Sequence, residues 1–282
     1  MPVPTYARLV LAGLAFPLGL AWAANPADAR TTPPAQSSTV TAQEDFRWSG
    51  RLAAGQRLEI KGVNGGIRAE PASGNEVEVV AVKRAGREGR VQDVRIERIT
   101  HGEGVTICAI YPSASGRRPN RCTAGEDWST NVQDNDVSVE FTVRVPRGVD
   151  FLGATVNGNV RAQNLPGDAH VSSVNGSVTA SAAGVVEAST VNGTLNVQTG
   201  AADPGRDLEF TTVNGNINLT VPAGFRADVR ASLLNGNIES EWPLDIERGR
   251  YVGQNGRGQI GRGGHKLKLE TVNGNIEIRR AR

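Results

Sequence analysis

One short motif recurs along the second half of the chain and limits what this chain can fold into. Thr155-Val156-Asn157-Gly158 returns with small changes, and its asparagines follow one another every 17 to 22 residues. Such a period is the signature of solenoids, in which each repeat buries its apolar face against its neighbours. The asparagines of the motif are Asn157, Asn175, Asn192, Asn214, Asn235, Asn255 and Asn273, with an early copy at Asn64.

Residues on either side of each Asn-Gly pair alternate between apolar and polar. Leu208 and Phe210 before one pair, and Ile217 and Leu219 after it, are predicted to share one face. This alternation is typical of strands that bury one face and expose the other. No stretch shows a sustained helical period, so the sequence predicts an all-β domain.

The Asn-Gly pairs allow two architectures, because this dipeptide tolerates positive φ and lets the chain turn. If each pair is a hairpin turn, the fold is an antiparallel β-meander or sandwich. If each pair is the corner of a coil, coils of about 19 residues stack as parallel strands, with the asparagines above one another. The near-constant period favours this second fold, a parallel β-helix-like solenoid. The asparagine amides are then predicted to bond along the stack as structural turn residues.

The first 45 residues precede the repeat domain. Residues 1–24 combine Arg8, an apolar run and Ala21-Trp22-Ala23, which is typical of a secretory signal peptide. Residues 25–45 are rich in Pro, Ala, Ser, Thr and Gln and are predicted to be a disordered linker. Residues 46–282 are predicted to form one β-solenoid domain. No other segment is apolar enough to cross a bilayer, so we expect an exported protein in the periplasm or at the cell surface.

Net charge and cysteine content limit the kinds of partner and site that we expect. The chain has 31 Lys and Arg against 29 Asp and Glu, a net charge of +2 at pH 7, which gives no general attraction to nucleic acid. Export favours a disulfide bond between the two cysteines, Cys108 and Cys122. A metal site is the alternative, but the nearest histidine, His101, lacks the paired-ligand spacing of zinc sites.

Three short patterns resemble functional motifs, and each has a structural interpretation. Gly256–Gly261 matches GxGxxG, but the residues after it alternate like a strand where a nucleotide site needs a helix. Asp134-Asn135-Asp136 lacks the glycine and distal glutamate of an EF-hand. Adjacent carboxylates such as Glu126-Asp127 point to opposite faces of a strand, which is unfavourable for acid and base work at one bond. The sequence therefore predicts no catalytic residue, cofactor or bound metal.

Several segments together resemble a known bacterial family. They are the Thr-Val-Asn-Gly-x-Ile units, Gly104–Cys108 with the later Cys122, the strand Val137–Val145, and Gly258–Gly261 ahead of Leu267–Ile278. This set resembles the bacterial putative-adhesin β-strand repeat family, domain of unknown function 4097. The resemblance implies a right-handed β-helix-like fold and an extracytoplasmic location, and it brings no catalytic residues.

These features predict an exported, non-enzymatic adhesin or a structural or binding module of the cell envelope. Its partner is expected to be an envelope protein or a surface glycan. Two alternatives stay open. A polysaccharide-acting enzyme can use a groove of a β-helix, although few aromatic sugar platforms are present here. An envelope assembly or stress partner can bind through a strand edge, since solenoid ends are open unless capped.

Overall fold

A computed structural model describes residues 42–87, 89–125, 130–132, 135–249 and 252–282. The predicted signal peptide and nearly all of the predicted linker lie outside these ranges. The first strand begins at Ala42, a few residues before the predicted domain boundary, because its pairing with a later strand extends to Ala42↔Arg84. A helix of the length and apolar character needed to cross a membrane is not found among these residues.

The described residues contain 21 strands, one short 3-10 helix at Val91–Asp93 and no α-helix. The strands are β1 (Ala42–Gly50), β2 (Arg57–Lys61), β3 (Ile67–Pro71), β4 (Val77–Arg84), β5 (Arg95–His101), β6 (Gly104–Ile110), β7 (Ser138–Val145), β8 (Asp150–Asn157), β9 (Val160–Leu165), β10 (Ala169–Asn175), β11 (Val178–Ala182), β12 (Val186–Asn192), β13 (Leu195–Thr199), β14 (Leu208–Thr211), β15 (Ile217–Val221), β16 (Ala227–Asn235), β17 (Ile238–Ser240), β18 (Leu244–Arg248), β19 (Gln254–Ile260), β20 (Lys266–Asn273) and β21 (Ile276–Arg280).

The strands form two large sheets around one apolar core. Sheet A has ten strands in the order β1-β4-β7-β3-β9-β11-β13-β15-β21-β17. Sheet B has eleven in the order β18-β19-β16-β20-β14-β12-β10-β8-β2-β6-β5. The middle of each sheet is parallel. Antiparallel strands extend sheet B at both ends and sheet A at the β1 end, whereas β17 at the other end of sheet A is parallel to β21. The predicted β-helix-like solenoid is thereby confirmed, and the antiparallel meander is wrong.

One coil shows how the repeat builds this stack. Strand β10 runs through sheet B to Asn175, the chain turns at Gly176, and β11 continues in sheet A. Alternate residues of β10, such as Ala169 and Val171, are buried, while the residues between them are half exposed. The Asn-Gly pair therefore lies at a corner between the sheets, which explains why the strand pattern continues on both sides of it.

The order of the coils departs from the order of the sequence at both ends of the stack. Strand β20 lies between β14 and β16, so the coil of Asn273 is inserted between the coils of Asn214 and Asn235. Strand β2 likewise lies between β6 and β8. The expectation that consecutive repeats always lie on each other is wrong at these places. At the C-terminal end the reason is that β19 pairs with one edge of β16. Strand β20 of the Asn273 coil can therefore pair only with the other edge of β16.

Asn255 does not form a turn, contrary to the prediction. It lies inside β19, where it is paired with Ser232 of β16 and with Glu247 of β18 in antiparallel ladders. Five of the seven corners follow a Thr or Ser and an aliphatic residue, and all seven have an aliphatic residue directly before the asparagine, whereas Gly253-Gln254 stands ahead of Asn255. This copy therefore lacks the apolar residue that precedes the asparagine at every corner.

Candidate functional site

The seven Asn-Gly corners form a continuous column along one edge of the stack. Each asparagine after the first donates a hydrogen bond from Nδ2 to Oδ1 of its neighbour, at distances from 2.7 to 2.9 Å. At one end, Asn64 Nδ2 donates to the backbone carbonyl of Asn135 at 3.3 Å. All the amides point the same way, so the column is a directional chain of dipoles. In spatial order its members are Asn64, Asn157, Asn175, Asn192, Asn214, Asn273 and Asn235.

The Thr or Ser two residues before most of these asparagines ties its corner to the adjacent coil. The buried hydroxyl of Ser173 donates to the carbonyl of Gly158 at 2.8 Å, and that of Thr190 donates to Gly176 at 2.9 Å. A buried hydroxyl without a partner would cost about 1–3 kcal/mol. Sequence reasoning missed this function, although the recurrence of Thr or Ser at one repeat position was its signal.

The glycines are required because neighbouring corners approach closely. A Cβ atom on Gly193 would lie 2.2 Å from the carbonyl oxygen of Gly176, and the other corners after the first meet the same obstacle. Positive φ, the sequence-based reason, applies to three of the seven corner glycines: Gly65, Gly236 and Gly274. Close stacking is therefore the general reason for glycine.

The outer face of sheet A carries a shallow polar trough of about 540 Å³. Parallel register places like side chains beside each other, so Asn196 lies next to Asn218 and Gln198 next to Thr220. Asn218 Nδ2 donates to Asn196 Oδ1 at 2.8 Å, which forms a second, shorter amide ladder. Amides and hydroxyls both donate and accept hydrogen bonds, so this face suits a ligand rich in hydroxyl groups. The polar side chains of the trough are Gln163, Thr179, Ser181, Asn196, Gln198, Asn218, Thr220, Glu277 and Arg279.

A buried pair of charges holds a long loop against the outer side of sheet B. Glu59 and Lys61 are both almost completely inaccessible to solvent. Glu59 Oε2 accepts hydrogen bonds from the Thr106 hydroxyl at 2.7 Å and from the Gly125 N–H at 3.0 Å. Lys61 Nζ donates to the carbonyls of Thr123, at 2.6 Å, and Gly125, and lies 3.7 Å from Glu59 Oε2. The segment of this loop at Thr123 and Gly125 is therefore fixed by the strand beneath it.

The pKa of Glu59 follows from this environment. Burial acts to raise it, but the hydrogen bonds from Thr106 and Gly125 and the charges of Arg57 and Lys61 outweigh burial, so the pKa lies below its ordinary value. The carboxylate therefore stays ionised at neutral pH and anchors the loop electrostatically. A disulfide bond between Cys108 and Cys122 fixes the same loop to β6.

A second ion-pair cluster lies on the same face of sheet B. Arg206, from the long connection between β13 and β14, donates to Glu187 Oε1 at 2.9 Å and to Asp168 Oδ2 at 3.1 Å. His170 Nδ1 lies 3.0 Å from Glu187 Oε2. Burial acts to raise the pKa of Glu187, but the bonds from His170 and Arg206 outweigh it and lower the pKa. Sequence reasoning missed this cluster because its members belong to different coils.

The other sequence candidates have structural roles or lie outside the described residues. Gly256–Ile260 of the GxGxxG match belong to strand β19 and not to a phosphate loop. His101 Nε2 lies 3.0 Å from the Thr106 hydroxyl. Glu126-Asp127 and Asp134 lie outside the described residues. In the part of the chain that the structure describes, no group of three His, Cys, Asp or Glu residues could hold a metal ion.

Comparison with known proteins agrees with the repeat and its corners. Residues 154–279 match the model of DUF4097, described as Toastrack. This segment belongs to the Toastrack family. The match spans the corners from Asn157 to Asn273 and all the residues that line the polar trough, so the resemblance drawn from the sequence is confirmed. No curated protein matches the chain.

Two solved structures are similar to this chain. One is a putative cell adhesion protein from Clostridium sporogenes ATCC 15579, with a TM-score of 0.41 and 11% identity, over 84% of this chain and 100% of that chain. The other is a putative adhesin from Bacteroides fragilis NCTC 9343, with a TM-score of 0.36 and 12% identity, over 85% of this chain and 98% of that chain.

Proposed function

We propose that the protein is an exported, non-enzymatic binding module of adhesin type, in the periplasm or at the cell surface. Its ligand is a glycan that lies along the outer face of sheet A. The observation that carries this proposal is the polar trough, in which the parallel coils repeat amide and hydroxyl side chains in register.

The spacing of the trough suits an extended polymer. Neighbouring strands of a sheet lie about 4.8 Å apart, so the side chains of successive coils present hydrogen-bonding groups at regular intervals. Each contact is weak because water competes for the same groups. Several contacts made by one polymer chain add through effective concentration, which gives useful binding without a deep pocket.

The stack also keeps this surface rigid. The asparagine column fixes the corner of each coil, and the inward side chains of both sheets fill a common core. A surface whose spacing is set before the ligand arrives loses little conformational entropy on binding. A glycan-binding role therefore uses the rigidity and the regular spacing that the repeat gives to this surface.

The test is a glycan array with the mature protein and two paired variants. The trough variant carries Asn196→Ala and Gln198→Ala, and the control carries Ser172→Ala and Ser189→Ala, which replace half-exposed side chains on the outer face of sheet B. We expect the trough variant to bind its glycan about tenfold more weakly, which is the loss of one or two net hydrogen bonds, and the control to bind normally. Binding to no glycan, equal loss in both variants, or turnover of a polysaccharide would contradict the proposal.

A second candidate is an envelope assembly or stress partner bound through the C-terminal end of the stack. One observation favours it: all four exposed large apolar side chains of the described residues lie there, on β16, β18, β20 and the β18–β19 connection. They are Leu234, Ile246, Val252 and Val272. A protein captured from envelope extract by the wild type should be lost with Leu234→Ser plus Val272→Ser and kept with the trough variant. If the variant with Leu234→Ser and Val272→Ser captures the same protein as the wild type, this end of the stack is not the contact surface.

A further inference from the structure

Asn-Gly pairs carry a chemical liability that this fold concentrates on one surface. The glycine backbone nitrogen attacks the carbonyl carbon of the asparagine side chain, a C–N bond forms, ammonia leaves, and a cyclic succinimide results. Water then opens the succinimide to aspartate or isoaspartate. The net reaction consumes one water and releases one ammonia, with no other reactant. Asparagine is for this reason a thermolabile residue.

The attack requires a glycine nitrogen released from its hydrogen bond and a side-chain carbonyl that can rotate toward it. At six of the seven corners the stack blocks both movements. At the Asn192 corner, for example, the N–H of Gly193 donates to the Asn214 backbone carbonyl at 3.0 Å. The Asn192 Oδ1 accepts from Asn214 Nδ2 at 2.8 Å, and Asn192 Nδ2 donates to Asn175 at 2.8 Å. Three hydrogen bonds therefore hold such a pair in an unreactive position.

The corner at Asn235 differs, because it ends the column. Its glycine is Gly236, whose N–H has no acceptor among the described residues, and its own Oδ1 has no donor there. Both residues are exposed, and one hydrogen bond remains to the side chain, from Asn235 Nδ2 to Asn273 Oδ1 at 2.8 Å. The nucleophile and the carbonyl that it attacks are thus both free at this corner and bonded at the other six.

We propose that Asn235 is a site of spontaneous deamidation and that the asparagine column protects the other corners from the same reaction. This inference is independent of the proposed glycan binding, since it depends on the hydrogen bonds of the corners alone. The eighth Asn-Gly pair, Asn255-Gly256, is protected in another way. It lies within β19, between two antiparallel partners that hold its backbone extended.

The product changes the end of the stack. An aspartate at position 235 places an oxygen where Nδ2 now donates to Asn273 Oδ1, so two acceptors face each other and the last bond of the column is lost. Isoaspartate also lengthens the backbone at the corner, which displaces the Asn235 carbonyl that accepts the Gly274 N–H at 2.9 Å. Deamidation therefore loosens the terminal coil and adds a negative charge beside the exposed side chain of Leu234.

The experiment follows each Asn-Gly pair separately. The purified protein is incubated at mildly alkaline pH and physiological temperature, digested at intervals, and analysed by mass spectrometry for the mass increase of deamidation. We expect Asn235 to convert at least about tenfold faster than any other pair, since the others must first open locally. In guanidinium chloride, where no stack exists, the eight pairs should react at comparable rates.

Two variants separate the proposed cause from general instability. Asn192→Ala removes the Nδ2 group that donates to Asn175 Oδ1, so this oxygen becomes free. The Gly176 N–H still donates to the backbone carbonyl of residue 192. Asn175 should then react more slowly than Asn235. Asn235→Gln should abolish deamidation at this corner without changing the other rates. A rate for Asn235 within the spread of the other corners in the folded protein would overturn the proposal, as would an unchanged preference for Asn235 after unfolding.

Discussion

The side-chain carbonyl of Gln254 accepts the backbone N–H of Ile238 at 3.1 Å. In an internal coil the equivalent N–H, that of Ile276, donates to the Asn237 backbone carbonyl of the neighbouring coil at 3.0 Å. Gln254 Nε2 also donates to Asn237 Oδ1 at 3.2 Å. One side-chain amide therefore supplies two bonds that a further coil would make, and it caps sheet A at β17.

Replacing Gln254 by Ala should open this end of the stack. We expect the free energy of unfolding to fall by about 1 kcal/mol, since two partly exposed hydrogen bonds are lost. The amide of Ile238 should exchange faster with deuterium, because it loses its acceptor. Hydrogen exchange read by NMR checks this, with Gln198→Ala in the trough as the control. An unchanged exchange rate at Ile238 would show that Gln254 is not the cap.

Replacing Gly193 by Ala adds only one methyl group but should lower the stability of the protein strongly. The added methyl would lie 2.2 Å from the Gly176 carbonyl oxygen, so two coils must separate. Overpacking of this kind costs about 1–3 kcal/mol, and we expect the upper end because backbone and not a side chain must move. Gly74→Ala is the control, since a Cβ there meets no atom within 4 Å. Equal melting temperatures for the two variants would contradict close stacking as the reason for glycine.

Replacing an internal asparagine should cost more than replacing the terminal one. Asn214 makes two side-chain bonds in the column, to Asn192 at 2.8 Å and to Asn273 at 2.7 Å, whereas Asn235 makes one. With exposed bonds worth about 0.5 kcal/mol each, we expect Asn214→Ala to lose about twice the unfolding free energy of Asn235→Ala. Chemical denaturation of both variants measures the ratio. A larger loss at Asn235 would mean that the column does not act as a chain of equal bonds.

The free energy of unfolding should decrease in acid, because Glu187 is then protonated. Its bonds to Arg206 and His170 lower its pKa in the folded protein, so this contribution is fully present above the unfolded glutamate pKa of about 4.3. The contribution is lost as the pH falls through the lower folded value. Urea unfolding measured from neutral pH downward should therefore show a decline below the unfolded pKa that is shallower in Glu187→Gln. An identical pH dependence in both proteins would exclude Glu187 as a source.

The sequence was sufficient for the coil but not for the order of the coils. Alternation around Asn157-Gly158 predicted two strands that meet at a corner, because strand period and turn chemistry are local properties. The units at Asn235 and Asn273 have the same local pattern, so nothing in either of them shows which one lies against Asn214. That order depends on β19, which covers the free edge of β16.

The candidate sites divide in the same way. The repeated polar positions of the trough follow from the register of the repeat. The Arg206–Glu187 contact joins residues of different coils, and Glu59 and Lys61 of β2 bind Thr106 and Gly125 from other parts of the chain. No periodicity predicts these contacts. Gln254 stands directly before Asn255, which the sequence predicts to be a repeat turn. Its capping bond to Ile238 depends on tertiary packing alone.

The insertion of β20 and β21 between earlier strands has a consequence for synthesis of the chain. Until the ribosome has added Lys266–Asn273, β14 and β16 lack the strand that lies between them in the folded protein. The coil of Asn235 is then made before the coil that pairs with it, so one edge of β16 and of β17 has no partner strand at this stage. Closure of this end is therefore a late step of high contact order, and a chain that stops before Lys266 leaves the stack without the coil of Asn273.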